Sequence, residues 1–292
     1  MAVFQIVFGR YSLSAFLFFL CFFGSVQGAS YCISTKHFPT IGMFAAANLI
    51  MGYIDLYENG KLPDCEGLYV DFGFDGLYYD SMHGSNWWEY FFEPISIGKG
   101  YSMSYDPSWE EGCTAFRAKS ALPRDRSVAL ANQYVRIKPH IQQKVDAFAV
   151  SHFNGLYTIG VHYRGTDKFS EAPRVDYSAV IAAVRDRIPI GLEWQIFVAT
   201  DEASFLEKME EAFPSHIVAT YAYRSNTSEG VHFSSHNPYA LGEEALIDAL
   251  LLAKCDLLIR TSSNLSLWAT YFNPDLSVVL LNERYEKWEE LG

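Results

Sequence analysis

The chain of 292 residues lacks most of the short signatures that announce an enzyme class. It has no G-x-x-x-x-G-K-[ST] loop, no G-x-G-x-x-G after a strand, no G-x-S-x-G elbow and no H-E-x-x-H. Walker-type nucleotide hydrolysis, dinucleotide binding, serine hydrolysis and zincin chemistry are thereby set aside. No Asp-x-Asp pair occurs either, so the usual anchor for a metal-bound sugar nucleotide is missing and no metal site is expected. Basic residues are few, 22 Lys and Arg against 34 Asp and Glu, and a net charge of −12 argues against sequence-independent nucleic-acid binding. Cysteine is sparse, at five, with no C-x-x-C pair to hold zinc. No internal repeat or low-complexity tract is present.

One long apolar run exists, near the start. Arg10 precedes Leu13-Ser14-Ala15-Phe16-Leu17-Phe18-Phe19-Leu20-Cys21-Phe22-Phe23, followed by small residues with Val26 and Gly28 placed like a cleavage signal. Residues 1–28 are expected to be a signal peptide or a signal anchor, which points to a secretory-pathway lumen or another extracytoplasmic location. An oxidising compartment would permit a disulfide, and the Gly- and Asp-rich turns around Cys65 and Cys113 make these the expected pair. Cys255 lies between apolar runs and reads as core.

With half of its residues hydrophobic and 16% aromatic, the chain has material for two cores. Helical periodicity spans 39–60, and Leu68-Tyr69-Val70-Asp71-Phe72 reads as a strand. The aromatic cluster Trp87-Trp88-Glu89-Tyr90-Phe91-Phe92 is either a satellite core or a sugar-stacking platform. Residues 98–126 read as irregular, and 127–153 as helical with a break at Pro139. From residue 156 onward strands and helices alternate: strand 156–162, helix 177–188, strand 194–200, a helix to Phe213, strand 217–220, helix 243–254, strand 256–260, a helix to Tyr271 and strand 278–281. Strict alternation predicts a parallel, Rossmann-like sheet. The domain expectation is an N-terminal α/β unit over 30–150 and a C-terminal Rossmann-like unit over 151–292.

Chemistry concentrates where strands end. Gly160-Val161-His162-Tyr163-Arg164-Gly165-Thr166-Asp167-Lys168 sets a guanidinium, an ammonium and a glycine at the carboxyl end of a buried strand. Open α/β sheets bind ligands there, and that grouping suits a diphosphate. Thr200-Asp201-Glu202 ends the next strand, where Asp201 serves either as a helix cap or as a site residue. Arg260-Thr261-Ser262-Ser263-Asn264 ends a third, preceded by Asp248 on an apolar helix, where an acid needs a partner. His140, His232 and His236 read as structural histidines.

These three ordered segments, Gly-Val-His-x-Arg-x-Thr-Asp-Lys, Ala-Thr-Asp-Glu, and Leu-Ile-Asp followed by a Thr-Ser-Ser turn, resemble the motifs of the α-1,6-fucosyltransferases and nodulation fucosyltransferases. The resemblance covers about residues 156–281. It implies a GT-B-like α/β fold of two Rossmann-like domains with mainly parallel sheets, and transfer of a sugar from a GDP-sugar donor to a glycan or glycoprotein hydroxyl. It also implies inversion, without metal and without a cofactor. By position, Arg164 would grip the β-phosphate, His162 and Asp248 would face the guanine, and Ser262 and Ser263 would meet the diphosphate. Glu171, one residue short of the family's proposed base, would take the acceptor's proton. Where the family carries paired arginines this chain has Arg164-Gly165. The alternative reading is a secreted carbohydrate-binding protein with a degenerate transferase fold, using the Trp87-Trp88 region.

Overall fold

The computed structural model describes residues 29–74, 76–99, 103–166, 171–226 and 236–283. The N-terminal apolar run, Asp167, Lys168 and His232 lie outside these. Among the described residues no helix is long and apolar enough to cross a membrane.

The first sheet is built from β1 (Ala29–Ile33), β2 (Cys65–Val70), β3 (Ser96–Gly98) and β4 (Ser104–Tyr105), in the order β3-β2-β1-β4. β1 pairs in parallel with β2 and β4, whereas β3 runs antiparallel to β2. Against it packs helix α1 (Met43–Glu58), buried over almost its whole circumference. A helix apolar on all sides belongs in a core rather than on a surface. Gly52 explains how a neighbour comes so close, since a Cβ there would stand 1.9 Å from the carbonyl oxygen of Ala115.

That neighbour corrects the sequence reading. Residues 98–126 contain helix α3 (Trp109–Ser120), where irregular chain is expected. Its start is a capping box: Ser108 accepts from the Glu111 backbone N–H, and the Glu111 carboxylate accepts from the Ser108 N–H at 2.8 Å. The periodicity is faint because the helix buries only one narrow stripe, with Gly112, Ala115 and Phe116 on it. A short helix, α2 (Trp88–Phe91), precedes it, and α4 (Arg124–Tyr134) and α5 (Pro139–His152) follow, broken at Pro139 as the sequence predicts.

The second sheet contains β5 (Tyr157–Tyr163), β6 (Trp194–Thr200), β7 (Ile217–Val218), β8 (Leu257–Arg260) and β9 (Ser277–Leu280). The order is β7-β6-β5-β8-β9, with every pairing parallel. Helices α6 (Tyr177–Arg185), α7 (Ala203–Ala212), α8 (Pro238–Ala253) and α9 (Asn264–Phe272) connect the strands. The chain leaves β5 toward β6 and β7, then returns to the other side for β8 and β9. That reversal opens a crevice at the carboxyl ends of β5 and β8. One apolar core covers a face of this sheet through α8 and α9 and continues into the first sheet, and a smaller core of Val161, Val184, Ile196 and Phe205 fills the opposite face. Across that continuity Trp268 Nε1 donates to Asn48 Oδ1 at 3.0 Å.

The disulfide expectation is corrected, and the aromatic cluster takes the first of its two readings, a core. Cys65 and Cys113 are both free, as are Cys32 and Cys255. Cys65 opens β2 while Cys113 lies on α3, which packs against α1 rather than against that end of the strand. Trp87 and Trp88 are completely buried, with Trp88 stacked on Phe92 at 4.1 Å between ring centroids. The rings fill the core beneath the segment after β2, and no indole face is left for a sugar.

Candidate active site

The crevice between β5 and β8 is closed by hydrogen bonds that run from one strand end to the next. The Thr261 N–H donates to the His162 carbonyl at 3.0 Å, and Thr261 Oγ1 accepts from the Arg164 N–H at 3.0 Å. From the end of β6, Asp201 folds the motif loop back on itself. Its carboxylate accepts from the Gly165 N–H at 3.2 Å, from the Thr166 hydroxyl and from Arg164 Nε at 3.1 Å. The residue in the cap position of α7 is Glu202, so Asp201 does not cap that helix and instead holds the motif loop. Held by its Nε, the Arg164 guanidinium is a fixed fork rather than a swinging charge.

Gly165 is required by the same packing. A Cβ on it would lie 2.5 Å from the Glu202 carboxyl and from the Tyr163 ring. No second arginine fits at this position. A cation nevertheless returns to the region: Arg174, half exposed, lines a small cavity together with Arg164, Gly165, Thr261 and Ser262. Its Nη2 lies 3.4 Å from Glu202 Oε1, while Glu202 Oε2 accepts independently from the Tyr177 hydroxyl at 2.6 Å.

His162 and Asp248 come together across the sheet. Both are buried and both line one cavity with Arg164, Asp201, Tyr223 and Leu265. α8 reaches the sheet closely because Gly160 of β5 leaves room, a Cβ there being 2.9 Å from Cys255 Sγ. Burial, then the nearby charges of Arg260 and Arg164, push the His162 pKa down to about 3, so the imidazole is neutral. Its Nδ1 has no hydrogen-bond partner among the described residues. A buried polar atom left unsatisfied carries a desolvation cost of ~1–3 kcal/mol, which a ligand hydrogen bond would remove. Burial likewise raises the Asp248 pKa to about 7, against the lowering effects of Thr220 and Arg224. The Thr220 hydroxyl donates to Asp248 Oδ1 at 2.8 Å. That is the partner the sequence demands of an acid on an apolar helix.

Ser262 and Ser263 form the turn before α9. The Ser262 N–H already donates to Asn282 Oδ1 at 2.7 Å, and Asn282 Nδ2 donates onward to the Pro173 carbonyl at 2.6 Å. Asn282 thus ties the turn to the segment that carries Glu171 and Arg174. Glu171 is half-buried at the start of that segment, with Ala172 and Pro173 beside Arg164 in the small cavity. Thr220, Arg174 and Asn282 escape a motif reading, whereas Thr261 opens the Thr-Ser-Ser turn and only its bond from the Arg164 N–H is new. Asn282 carries the one signal that could have flagged it, a polar residue just past the end of a parallel strand. Among the described residues no group of three or more His, Cys, Asp or Glu side chains converges as a metal site.

Comparison with known proteins identifies the family and the fold. The family model for nodulation protein Z (NodZ) matches residues 113–284, more than half of the chain. Nodulation protein Z of Sinorhizobium fredii is 28% identical over 136 residues, covering 43% of this chain and 42% of that protein. The protein of the same name from Bradyrhizobium diazoefficiens is 28% identical over 169 residues, covering 51% and 43%. The chain thus spans less than half the length of these two relatives. Among solved structures, fucosyltransferase NodZ from Bradyrhizobium superposes with a TM-score of 0.56 at 16% identity, over 89% of this chain and 99% of that one. NodZ alpha-1,6-fucosyltransferase co-crystallized with GDP gives 0.56 at 16%, over 83% and 92%. At such identities the likeness is one of fold, and that fold is the GT-B-like α/β architecture. On the span of the family match, the chain belongs to the nodulation protein Z family.

Proposed function

We propose that this chain is a fucosyltransferase that moves fucose from GDP-fucose to a glycan or glycoprotein hydroxyl by a single inverting displacement, without a metal. The reading is supported by membership of the nodulation protein Z family and by the buried pair His162 and Asp248 in one cavity at the sheet's switch point. Ionised Asp248 accepts the ring and amino N–H groups of guanine, while Thr220 fixes the carboxylate's orientation. The free Nδ1 of His162 takes a second hydrogen bond from the nucleotide or gives one to it. Tyr223 borders the same cavity and stacks on His236 at 4.8 Å, offering a face to the base.

From the base the diphosphate runs over Arg164 and the turn of Ser262 and Ser263. Negative charge grows on the leaving diphosphate as the anomeric bond breaks, and the pre-set fork of Arg164 stabilises it without reorganising. Arg174 supplies the second cation that position 165 cannot hold, and Glu202 keeps the Tyr177 hydroxyl as a partner when Arg174 turns to the phosphates. Glu171, one turn of chain away on the segment clipped by Asn282, takes the acceptor's proton as the oxygen attacks. The N-terminal apolar run directs the enzyme to a secretory-pathway lumen, as a signal peptide or anchor, where a GDP-sugar can be supplied.

The test is incubation with labelled GDP-fucose and an array of glycans, with chelator present, followed by determination of the product's anomeric configuration. Label should enter a glycan from GDP-fucose with inversion. Incorporation from a UDP-sugar but not from GDP-fucose, or retention of configuration, would overturn the proposal.

A further inference from the structure

A second and larger cavity, of about 380 Å³, opens on the other side of α9. Leu267 and Tyr271, one turn apart, line it, whereas Leu265, which lines the cavity of His162, lies about 200° round the helix from Leu267. The two cavities therefore use opposite faces of α9. The second also draws on the N-terminal half, through Asn48 of α1, Lys119 and Ser120 of α3, and Arg124 of α4.

Its charge is the informative feature. Lys119, Arg124 and Arg260 all line it, and among the described residues no Asp or Glu does, in a chain whose net charge is −12. Lys119 is buried to 6% exposure, with Nζ 3.2 Å from the Tyr271 hydroxyl and 5.2 Å from the centre of that ring. Among the described residues no carboxylate lies within ion-pair distance of it. Arg124 is bonded to two neutral acceptors, the carbonyls of Thr270 at 3.1 Å and Pro274 at 2.9 Å. Burying an ammonium without a counter-charge is costly unless the ligand brings that charge. Lysine and arginine are donors with no acceptor capacity, so this lining suits an oxyanion rather than a sugar hydroxyl, which must both give and receive. The amino end of α9, at Ser263 and Asn264, adds its partial positive charge at the same wall.

We propose that this cavity is an oxyanion subsite separate from the nucleotide cavity, and that it takes an acidic substituent of the acceptor, a carboxylate, sulfate or phosphate. Only the identity of the occupant rests on the transferase reading, since the charge argument stands without it. Inorganic phosphate is the probe, titrated by calorimetry into the full chain with and without saturating GDP. Wild type should still bind phosphate at saturating GDP, weakened by less than about tenfold through the wall of Ser262 and Ser263 that the two sites share. Lys119→Met, which keeps the stem's packing, should weaken phosphate binding at least about tenfold while leaving the GDP response intact. Ser120→Glu, at the exposed rim, should do the same by adding the missing acid without touching the core.

Phosphate binding abolished by GDP would overturn the proposal, because the cations would then belong to the donor's diphosphate. Wild-type phosphate affinity in both variants would overturn it as well. If GDP fails to bind while phosphate binding still depends on Lys119, the subsite stands and the nucleotide reading falls. In transfer assays, Lys119→Met should lower kcat/KM for a carboxylate-bearing acceptor at least about tenfold and for its neutral analogue less than about twofold. An equal loss for both acceptors would reject the acceptor's acid as the occupant.

Discussion

The two cavities beside α9 are made of opposite materials. One holds a neutral imidazole, the carboxylates of Asp248, Asp201 and Glu244, of which Asp248 has a pKa near neutrality, and Arg164. The other is lined, among the described residues, by three cations and no acid. The first suits a heterocycle edge that offers N–H donors, and the second an anion. Their separation by one helix suggests a division of labour, in which the base is recognised on one face of α9 and charge on the other, with Ser262 and Ser263 at the boundary.

Substitutions on the reacting side should be large in turnover and silent in the cationic cavity. Glu171→Gln should lose about 10²–10⁴ in transfer rate while keeping GDP-dependent stabilisation, measured by single-turnover assay beside thermal shift. Transfer within a few-fold of wild type would move the base elsewhere, with Asp167 or Asp201 the next candidate. Arg164→Lys keeps the charge but loses the planar fork set by Asp201, and turnover should fall by about 10²–10³. Phosphate affinity in the second cavity should be unchanged in both variants, and a change there would dissolve the distinction between the two.

The pH dependence sharpens the comparison, because only the first cavity titrates near neutrality. The folded chain holds the Asp248 proton up to about pH 7, whereas the unfolded chain releases it near 3.8, so stability of the ligand-free protein falls as pH rises between those values. Guanine needs the ionised form. GDP affinity should therefore rise about tenfold from pH 6 to pH 8, and Asp248→Asn should remove that slope. A flat profile in wild type would mean that Asp248 does not meet the ligand. The smallest expected effect is that of a chelator: EDTA should leave transfer unchanged, and loss of activity restored by Mn²⁺ would reject metal-free leaving-group stabilisation.

The same comparison shows what a sequence can disclose. The first cavity was legible because its residues stand at the carboxyl ends of consecutive parallel strands, where alternation of strand and helix fixes both fold and location. His162 and Arg164 fall where that logic puts them, whereas Asp248 was marked by being an acid on the apolar helix α8. Asp201 was half legible, since a carboxylate after a strand serves equally as a cap, and only the coordinates show it gripping Gly165, Thr166 and Arg164. The second cavity was illegible because Lys119 comes from α3, whose narrow apolar stripe hid the helix, and Arg124 from the first residue of α4, ahead of the part that reads as helical. Their convergence on α9 depends on long-range packing, including the close approach permitted by Gly52. Local pattern likewise could not separate a stacking platform from a core at Trp87 and Trp88, or say whether Cys65 and Cys113 meet.

Guanine recognition by the cavity of His162 and Asp248 is tested most directly by thermal shift with GDP, UDP and ADP. GDP at a hundred times its dissociation constant should stabilise the chain by about 2.7 kcal/mol, with UDP and ADP far weaker and the preference lost in Asp248→Asn. Equal shifts for all three nucleotides, or an undiminished GDP preference in that variant, would contradict the assignment.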